Sequence, residues 1–271
     1  MATAVFLHAH PDDEALATGG TMARLADAGH RVVLVVATHG EEGEPVPGVL
    51  ADGEPLGDRR TAEVADAAAI LGAARVEFLG YRDSGMDGDP ANGHPDCFWQ
   101  ADVDEAASRL ADLLADEQVD LAVVYDSHGG YGHPDHIQAH RVGTRWAQRA
   151  GVGRLRWTTM NRDAIRASIE EAFAAGELDD MAAASLEERR ERAEQEAFGT
   201  PAIEITHAVD VHGVIGRKRA AIAAHASQIA ADSFFLAMPL ERFASVFGTE
   251  WFVDPDRPRG GEDFRTDPLL G

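Results

Sequence analysis

The sequence has a single cysteine, Cys97, in 271 residues. It can close no intramolecular disulfide and offers no thiolate cluster, so any bound metal falls to imidazole and carboxylate ligands, and a cytoplasmic setting is the expectation. Long apolar runs are missing too: none approaches the roughly 18 residues of a spanning helix. The opening MATAVFLHAH lacks a basic stretch and a small-residue cleavage site, so neither membrane insertion nor export is expected. Cations are scarce beside anions, with 24 Lys and Arg against 47 Asp and Glu and a formal charge of −23. A surface of that sign repels polyanions, which excludes nucleic acid and anionic membranes as expected partners.

What is present points to an enzyme-sized globular chain. Hydrophobic residues make up 45%, enough over this length to bury the core of one large domain. The first half alternates strand and helix. Strands are predicted at Thr3 to His8, Arg31 to Ala37, Arg75 to Gly80, Val119 to Tyr125 and Arg154 to Met160. Helices are predicted over Glu14 to Gly29, Asp58 to Leu71, Asp102 to Glu117 and Asp135 to Ala150. This alternation implies an α/β fold, a Rossmann-like doubly wound and mostly parallel sheet with right-handed crossovers. Later segments read as helical from Asp163 to Phe198, strand-like from Ala202 to Val211, and helical from Val214 to Ala226 and from Leu240 to Phe252. The tail after Asp254 reads as a loop or surface strap. The expected organisation is one domain over 1–271, with a core over 1–160 and a smaller C-terminal α+β extension over 161–271 covering the site.

Twelve histidines are many for a chain so poor in aromatic residues, and several stand beside aspartates at predicted strand ends, where open α/β sheets place their sites. After the first strand comes His8-Ala9-His10-Pro11-Asp12-Asp13-Glu14. His10 and Asp13, three apart across a turn, can converge on one cation while Asp12 points elsewhere. Two adjacent carboxylates can then divide the work, one on the metal and one taking a proton from activated water. The plainer alternative is that the acidic trio only caps a helix. After the fourth strand comes Asp126-Ser127-His128-Gly129-Gly130-Tyr131-Gly132-His133-Pro134-Asp135-His136, whose glycines let the backbone bend closely around a site. His136 is the candidate third ligand, completing a two-histidine, one-carboxylate set with open positions for water and substrate. His8, His30, His39, His94, His128 and His140 read as histidines without a partner.

Three other readings compete. A facial triad of a non-haem iron oxygenase has similar spacing, but such enzymes are antiparallel β-barrels. A dinucleotide-binding protein needs a Gly-x-Gly-x-x-Gly turn where this chain has carboxylates that would repel a pyrophosphate. A non-catalytic sugar- or partner-binding protein would have no need of Asp12 beside the ligand set.

The segments Ala9 to Glu14 and Gly132 to His136, Arg60 with Glu63, Arg82-Asp83-Ser84-Gly85-Met86, and the late stretch Lys218 to Gln228 with His225, Ser227 and Gln228, together carry a resemblance. The chain resembles the LmbE-like, or PIG-L (N-acetylglucosaminyl deacetylase), family of zinc-dependent deacetylases, nearest in these motifs to the mycothiol-pathway branch. The resemblance implies His10, Asp13 and His136 as ligands of Zn2+, with Fe2+ or Co2+ able to take the same set, and Asp12 as general base. It further implies that Tyr131 polarises the amide carbonyl, that His133 stabilises transition-state charge, and that Arg60 and Asp83 hold sugar hydroxyls. For Arg60 the residues also allow a surface ion pair with Glu63. Where the family's amidase carries a lysine after His-Pro-Asp-Asp, this chain reads Ala15-Leu16-Ala17-Thr18, which speaks against amidase cleavage of a thiol S-conjugate. The implied activity is N-deacetylation of a small polar substrate, an N-acetylglucosamine-containing glycoside or a related secondary metabolite. The small molecule is the implied partner, the protein a homo-oligomer, and the loops 38–57 and 83–98 the rim of the pocket.

Overall fold

The computed structural model describes residues 1–175, 187, 190, 191, 194, 195, 198–257 and 264. Five strands, β1 (Thr3–His8), β2 (Arg31–Thr38), β3 (Arg75–Tyr81), β4 (Leu121–Tyr125) and β5 (Leu155–Thr159), run parallel in the order β3-β2-β1-β4-β5. β1 pairs with β2 on one side, Val5 opposite Val33, and with β4 on the other, Val5 opposite Ala122. The chain therefore winds outward from β1 in both directions, and the gap between β1 and β4 is the topological switch point at which such sheets bind ligands.

The strands are apolar on both faces because helices cover both. Ala4, Phe6, Leu34 and Val36 pack with Met22, Val64, Leu71 and Ile222 in one buried layer. Val5, Leu7, Val33 and Val35 pack with Leu110, Val142 and Trp146 in the other. The first layer belongs to helices α1 (Gly19–Asp27), α2 (Leu56–Leu71) and α6 (Ile215–Ala224), the second to α3 (Val103–Leu113) and α4 (Pro134–Ala150). α3 starts where the Asp102 side chain accepts the N–H groups of Asp104 and Glu105, the arrangement an N-cap aspartate provides.

Several boundaries differ from the expected ones. The helix expected from Glu14 begins as a π-helical turn, Glu14–Thr18, and becomes α-helical only at Gly19. Helix α5 (Arg162–Ala175) occupies the start of the stretch expected to be helical to Phe198; most of the rest lies outside the described residues. Only His207–Asp210 of the strand-like 202–211 segment is a strand, β6. The largest correction concerns Leu240 to Phe252. Helix α7 (Leu240–Phe247) stops there, and Thr249–Val253 is a strand, β7. Gly248 separates them, and in β7 Glu250 and Phe252 are buried while Thr249, Trp251 and Val253 are only half-buried. That two-residue alternation is a strand's, not a helix's.

β7 runs antiparallel between β5 and β6, with Thr158 opposite Phe252 and Ala208 opposite Trp251. It also carries a buried polar staple. Glu250 accepts the N–H groups of Gly20 and Thr21 at 2.8 Å each and the Lys218 ammonium at 2.6 Å. The negative charge thus sits at the start of α1, where the helix dipole favours it. Phe252 is fully buried. Phe252→Ala is expected to lower the unfolding free energy by about 3–5 kcal/mol, measured by urea denaturation; a loss typical of an exposed loop residue would contradict the strand assignment.

Candidate active site

The site is built where two loops leave the sheet side by side, one after β1 and one after β4. In the first, Asp13 Oδ2 accepts the His10 backbone N–H at 2.9 Å and closes a tight turn around Pro11. Asp12 has φ 121°, the only positive value among described residues other than glycine. Such a conformation costs a non-glycine residue about 1–3 kcal/mol and persists only where its surroundings over-determine it. Here they do. The Asp12 N–H is taken by Glu14 Oε2 at 3.0 Å, its carbonyl accepts Ala15 and Leu16 N–H at 3.1 Å each, and its Oδ2 accepts Arg60 Nη2 at 3.1 Å.

In the second loop, His133 is the N-cap of α4 and Pro134 its first residue, a position where the missing N–H is no loss. The His133 Nδ1 accepts the Asp135 N–H at 3.1 Å, which leaves the ring proton on Nε2. Gly129 has φ 66°, and a Cβ there would stand 2.7 Å from the His136 Cβ and 2.8 Å from the Ile137 nitrogen. Only glycine lets this loop lie against the first turn of α4. The Gly129 carbonyl in turn accepts His136 Nδ1–H at 3.1 Å, which directs Nε2 toward the loop after β1.

The two loops meet at Asp13. Its Oδ2 is 3.3 Å from His10 Nδ1 and 3.3 Å from His136 Nε2. His136 Nε2 is buried and has no hydrogen-bond partner. Tetrahedral ligands at roughly 2.0–2.2 Å from a zinc-sized cation lie about 3.3–3.6 Å apart, so each of these two separations is that of neighbouring ligands. Among the described residues, the groups whose three donor atoms all lie within 4.8 Å of one another are His10, His133 and His136, and His10, Asp83 and Asp135; the His10, Asp13 and His136 set is joined through Asp13 instead. Asp83 and Asp135 stand 3.4 and 3.3 Å from His10 Nε2. They take its N–H and hold the ring, as a carboxylate behind a ligating histidine does. Asp135 is itself gripped by the Ser84 hydroxyl and, at 2.9 Å, the Ser84 N–H.

Charge follows from this crowding. Burial opposes a proton on His10, but Asp13, Asp135 and Asp83 outweigh it and raise its pKa well above the ordinary imidazole value. Burial likewise opposes charge on Asp13, yet the His136 and His10 rings hold its carboxyl well below the usual range. Asp12 behaves differently: burial pushes it up to about 6, although the Arg60 guanidinium pulls the other way. Burial and the rings of His10 and His136 bring His133 down to about 2, so its imidazole is neutral. Adjacent aspartates thus have opposite tendencies, one made to stay ionised beside a cation and one able to carry a proton.

A family model described as PIG-L, GlcNAc-PI de-N-acetylase, matches residues 5–147. The chain belongs to the PIG-L family. A 1D-myo-inositol 2-acetamido-2-deoxy-alpha-D-glucopyranoside deacetylase of Acidothermus cellulolyticus is 43% identical over 260 residues, spanning 92% of this chain and 87% of the relative. The N,N'-diacetylchitobiose deacetylase of Pyrococcus horikoshii superposes with a TM-score of 0.56 at 23% identity, over 99% of this chain and 84% of that one. GalB, the 4-carboxy-2-hydroxymuconate hydratase of Pseudomonas putida, does so with 0.59 at 20% identity, over 98% and 100%. At such identities the likeness shows the fold alone. A hydratase shares it, so chemistry within the PIG-L fold has to be argued from the residues.

The remaining expected residues surround the Asp13 centre. Tyr131 is 39% exposed and its ring stands edge-on to His136 at 5.0 Å, at the mouth. Arg60, 3% exposed, is no surface residue and does not pair with Glu63. Its Nη1 donates to the Gly40 carbonyl and its Nη2 to the Pro11 carbonyl and Asp12, while Glu63 accepts the N–H and hydroxyl of Ser227. Asp83 accepts the N–H groups of Gly85 and Glu42 besides facing His10. Next to it opens a groove of about 540 Å³ lined by Glu42, Arg82, Asp89, His94 and Pro95.

The histidines read as lacking partners all have one. His8 bonds Tyr125 and Thr18, His39 bonds Thr61 and stacks on Phe78, and His128 faces Asp126 at 3.2 Å. His140 donates to the Tyr125 carbonyl, and His30 and His94 accept backbone N–H groups. Glu14, read as a cap at most, is fully buried beside His225, and Tyr125 stacks on His136 with ring centroids 4.3 Å apart. Only the Asp12-Asp13-Glu14 run itself could have marked Glu14, since three consecutive acids exceed what a cap uses. Gly129→Ala is expected to destabilise by about 1–3 kcal/mol and to turn the His136 ring away from Asp13; thermal unfolding and a crystal structure of the variant check both effects.

Proposed function

We propose that this chain is a divalent-metal N-deacetylase that removes acetate from the N-acetylglucosamine unit of a small glycoside, with an N-acetylglucosaminyl inositol as first candidate. The reading is carried by the Asp13 carboxylate lying between His10 and His136 with Asp12 beside it, in a family whose model is described as a de-N-acetylase. The substrate comes from the name of the relative at 43% identity.

His10 Nδ1, Asp13 and His136 Nε2 would hold the ion, zinc by the donor set, with ferrous iron or cobalt able to take the same ligands. When bound, the ion supplies Lewis acidity, lowering the pKa of a water and polarising the amide carbonyl. Asp12 has Oδ2 tied to Arg60, which leaves Oδ1 to take the proton of the attacking water. A C–O bond forms at the carbonyl carbon and the C–N bond breaks; Asp12 returns the proton to the amine nitrogen, and acetate leaves. The His133 Nε2–H and the Tyr131 hydroxyl serve as donors to the carbonyl oxygen as charge grows there, and one such donor is typically worth about 2.7–4 kcal/mol. Arg60 and Asp83 are the proposed holders of sugar hydroxyls. Both are already engaged with protein groups, so a hydroxyl would share those hydrogen bonds rather than fill an open valence.

The groove beside Asp83 takes its lining from both loops expected to form the rim, Glu42 from one and Asp89 to Pro95 from the other. It suits the remainder of the glycoside. A single domain over 1–271 is the reading we favour, supported by β6 and β7 of the C-terminal extension continuing the sheet and by Ser227 reaching Glu63. No described helix is long and apolar enough to cross a membrane. Work in the cytoplasm accords with a sole cysteine that is buried and unpaired, and the family resemblance adds a homo-oligomeric assembly.

The deciding experiment measures bound metal together with amine release from N-acetylglucosaminyl inositol. Asp13→Ala and His136→Ala are expected to lose metal and turnover, whereas Asp12→Asn and His133→Ala keep metal and lose turnover by about 100-fold or more. Chelation should abolish the wild-type rate and added zinc should restore it. Full turnover by Asp12→Asn, or by metal-free wild type, would refute the reading. Shortening the 89–95 turn should raise KM for the glycoside more than it lowers kcat; unchanged substrate preference would remove the groove from the account.

A further inference from the structure

Lys218 to Gln228, singled out in the sequence, takes no part in the chemistry above, yet it runs directly beneath the site. Helix α6 ends at Ala224, and the next residue, His225, has no exposed surface. Its Nε2 lies 2.6 Å from Glu14 Oε1, and Glu14 is equally buried. The other oxygen of the same carboxylate, Oε2, accepts the backbone N–H of Asp12. One carboxylate therefore bridges an imidazole from the C-terminal extension and the main chain of the residue held at φ 121°.

Stability alone does not account for this pair. A buried ion pair loses so much hydration that apolar replacements of similar volume are often neutral or stabilising. The His225 ring makes no second hydrogen bond either, since its Nδ1 is buried without a partner. Among the described residues, the ring's one hydrogen-bond partner is Glu14. The strained conformation of Asp12, by contrast, needs this anchor. Without an acceptor at Glu14 Oε2, the part-buried Asp12 N–H would lose its partner, and φ would relax toward the allowed region. The Asp12 carboxylate would swing with it, away from its place beside Asp13.

We propose that Glu14 and His225 are positioning residues for the reaction. They keep Asp12 in its left-handed conformation, so that of two adjacent carboxylates one serves the ion and the other stays off it as the base. Neither touches the substrate or the ion. The proposal rests on the reading of Asp12 as general base.

The test uses the full-length zinc-loaded protein with N-acetylglucosaminyl inositol and compares His225→Leu, His225→Gln, Asp12→Asn and Phe252→Ala. A misplacement of about 1 Å can cost on the order of 100-fold in rate, so His225→Leu is expected to lower kcat by about 30-fold or more. KM and bound zinc should stay within about twofold, the pattern of an interaction expressed only in the transition state. His225→Gln, whose amide N–H reaches toward Glu14 as the ring Nε2–H does, should recover most of the rate. Phe252→Ala, in the same extension but outside the Glu14–His225 hydrogen-bond chain, should lose stability and keep kcat. A crystal structure of His225→Leu should show Asp12 out of the positive-φ region. If His225→Leu does not fold, Glu14→Gln replaces it: an amide can accept only one of the two hydrogens the carboxylate holds, and a roughly tenfold loss of kcat with zinc retained is expected. The proposal is overturned if His225→Leu, or Glu14→Gln in its place, turns over at the wild-type rate while Asp12→Asn is inactive. It is equally overturned if kcat, KM and zinc content fall together with no rescue by glutamine, or if Asp12 keeps its φ. An active Asp12→Asn would instead overturn the base assignment, and this proposal with it.

Discussion

The structure turns on one carboxylate oxygen, Asp13 Oδ2, equidistant at 3.3 Å from imidazole nitrogens that arrive from opposite sides of the switch point. Each of those nitrogens is aimed by what its ring does at the other end: Nε2 of His10 by Asp135 and Asp83, Nδ1 of His136 by the Gly129 carbonyl. Bringing Asp13, Asp83 and Asp135 together away from water is unfavourable by several kcal/mol per ion. The raised pKa of His10 expresses that imbalance. A cluster so rich in negative charge favours a cation beside it, and it sits where the ends of β1 and β4 diverge.

The second constraint is the separation of two neighbouring side chains by backbone geometry. Here the unusual φ of Asp12 and the π-helical turn after it rotate one carboxylate toward Arg60 and leave the other between the histidines. The burial of Asp12 then raises its pKa while the rings beside Asp13 lower that of its neighbour. Local distortion at this turn, stabilised by partners from α2 and from the extension, is what gives two like residues different surroundings.

Sequence reading captured those parts whose signal is local. The parallel core was legible because its strands are short apolar runs set off by loops, and the candidate site because His10, Asp12, Asp13 and His136 stand in motifs at strand ends that the fold brings side by side. What escaped depends on residues far apart in the chain. Glu14 meets His225 across 211 positions. Glu63, three residues from Arg60, pairs instead with Ser227, so proximity along a helix misled. β7 was hidden within an apolar stretch that continues from α7, and only Gly248 marked the change. The partners of His8 and His140 lie in Tyr125, a strand residue that no motif advertises.

The place of β7 bears on how the protein comes into being. Among the described residues it is the last strand, yet it sits between β5 and β6 rather than at an edge, and β6 has no other described neighbour in the sheet. During synthesis the nascent polypeptide can complete β1 to β5 and bring both histidine loops together while β6 must wait, its backbone groups unpaired and open to wrong pairing. Glu250, which fastens the start of α1, arrives at that same late moment. The half of the molecule that carries both histidine loops is thus able to mature on the ribosome well before the layer beneath it locks.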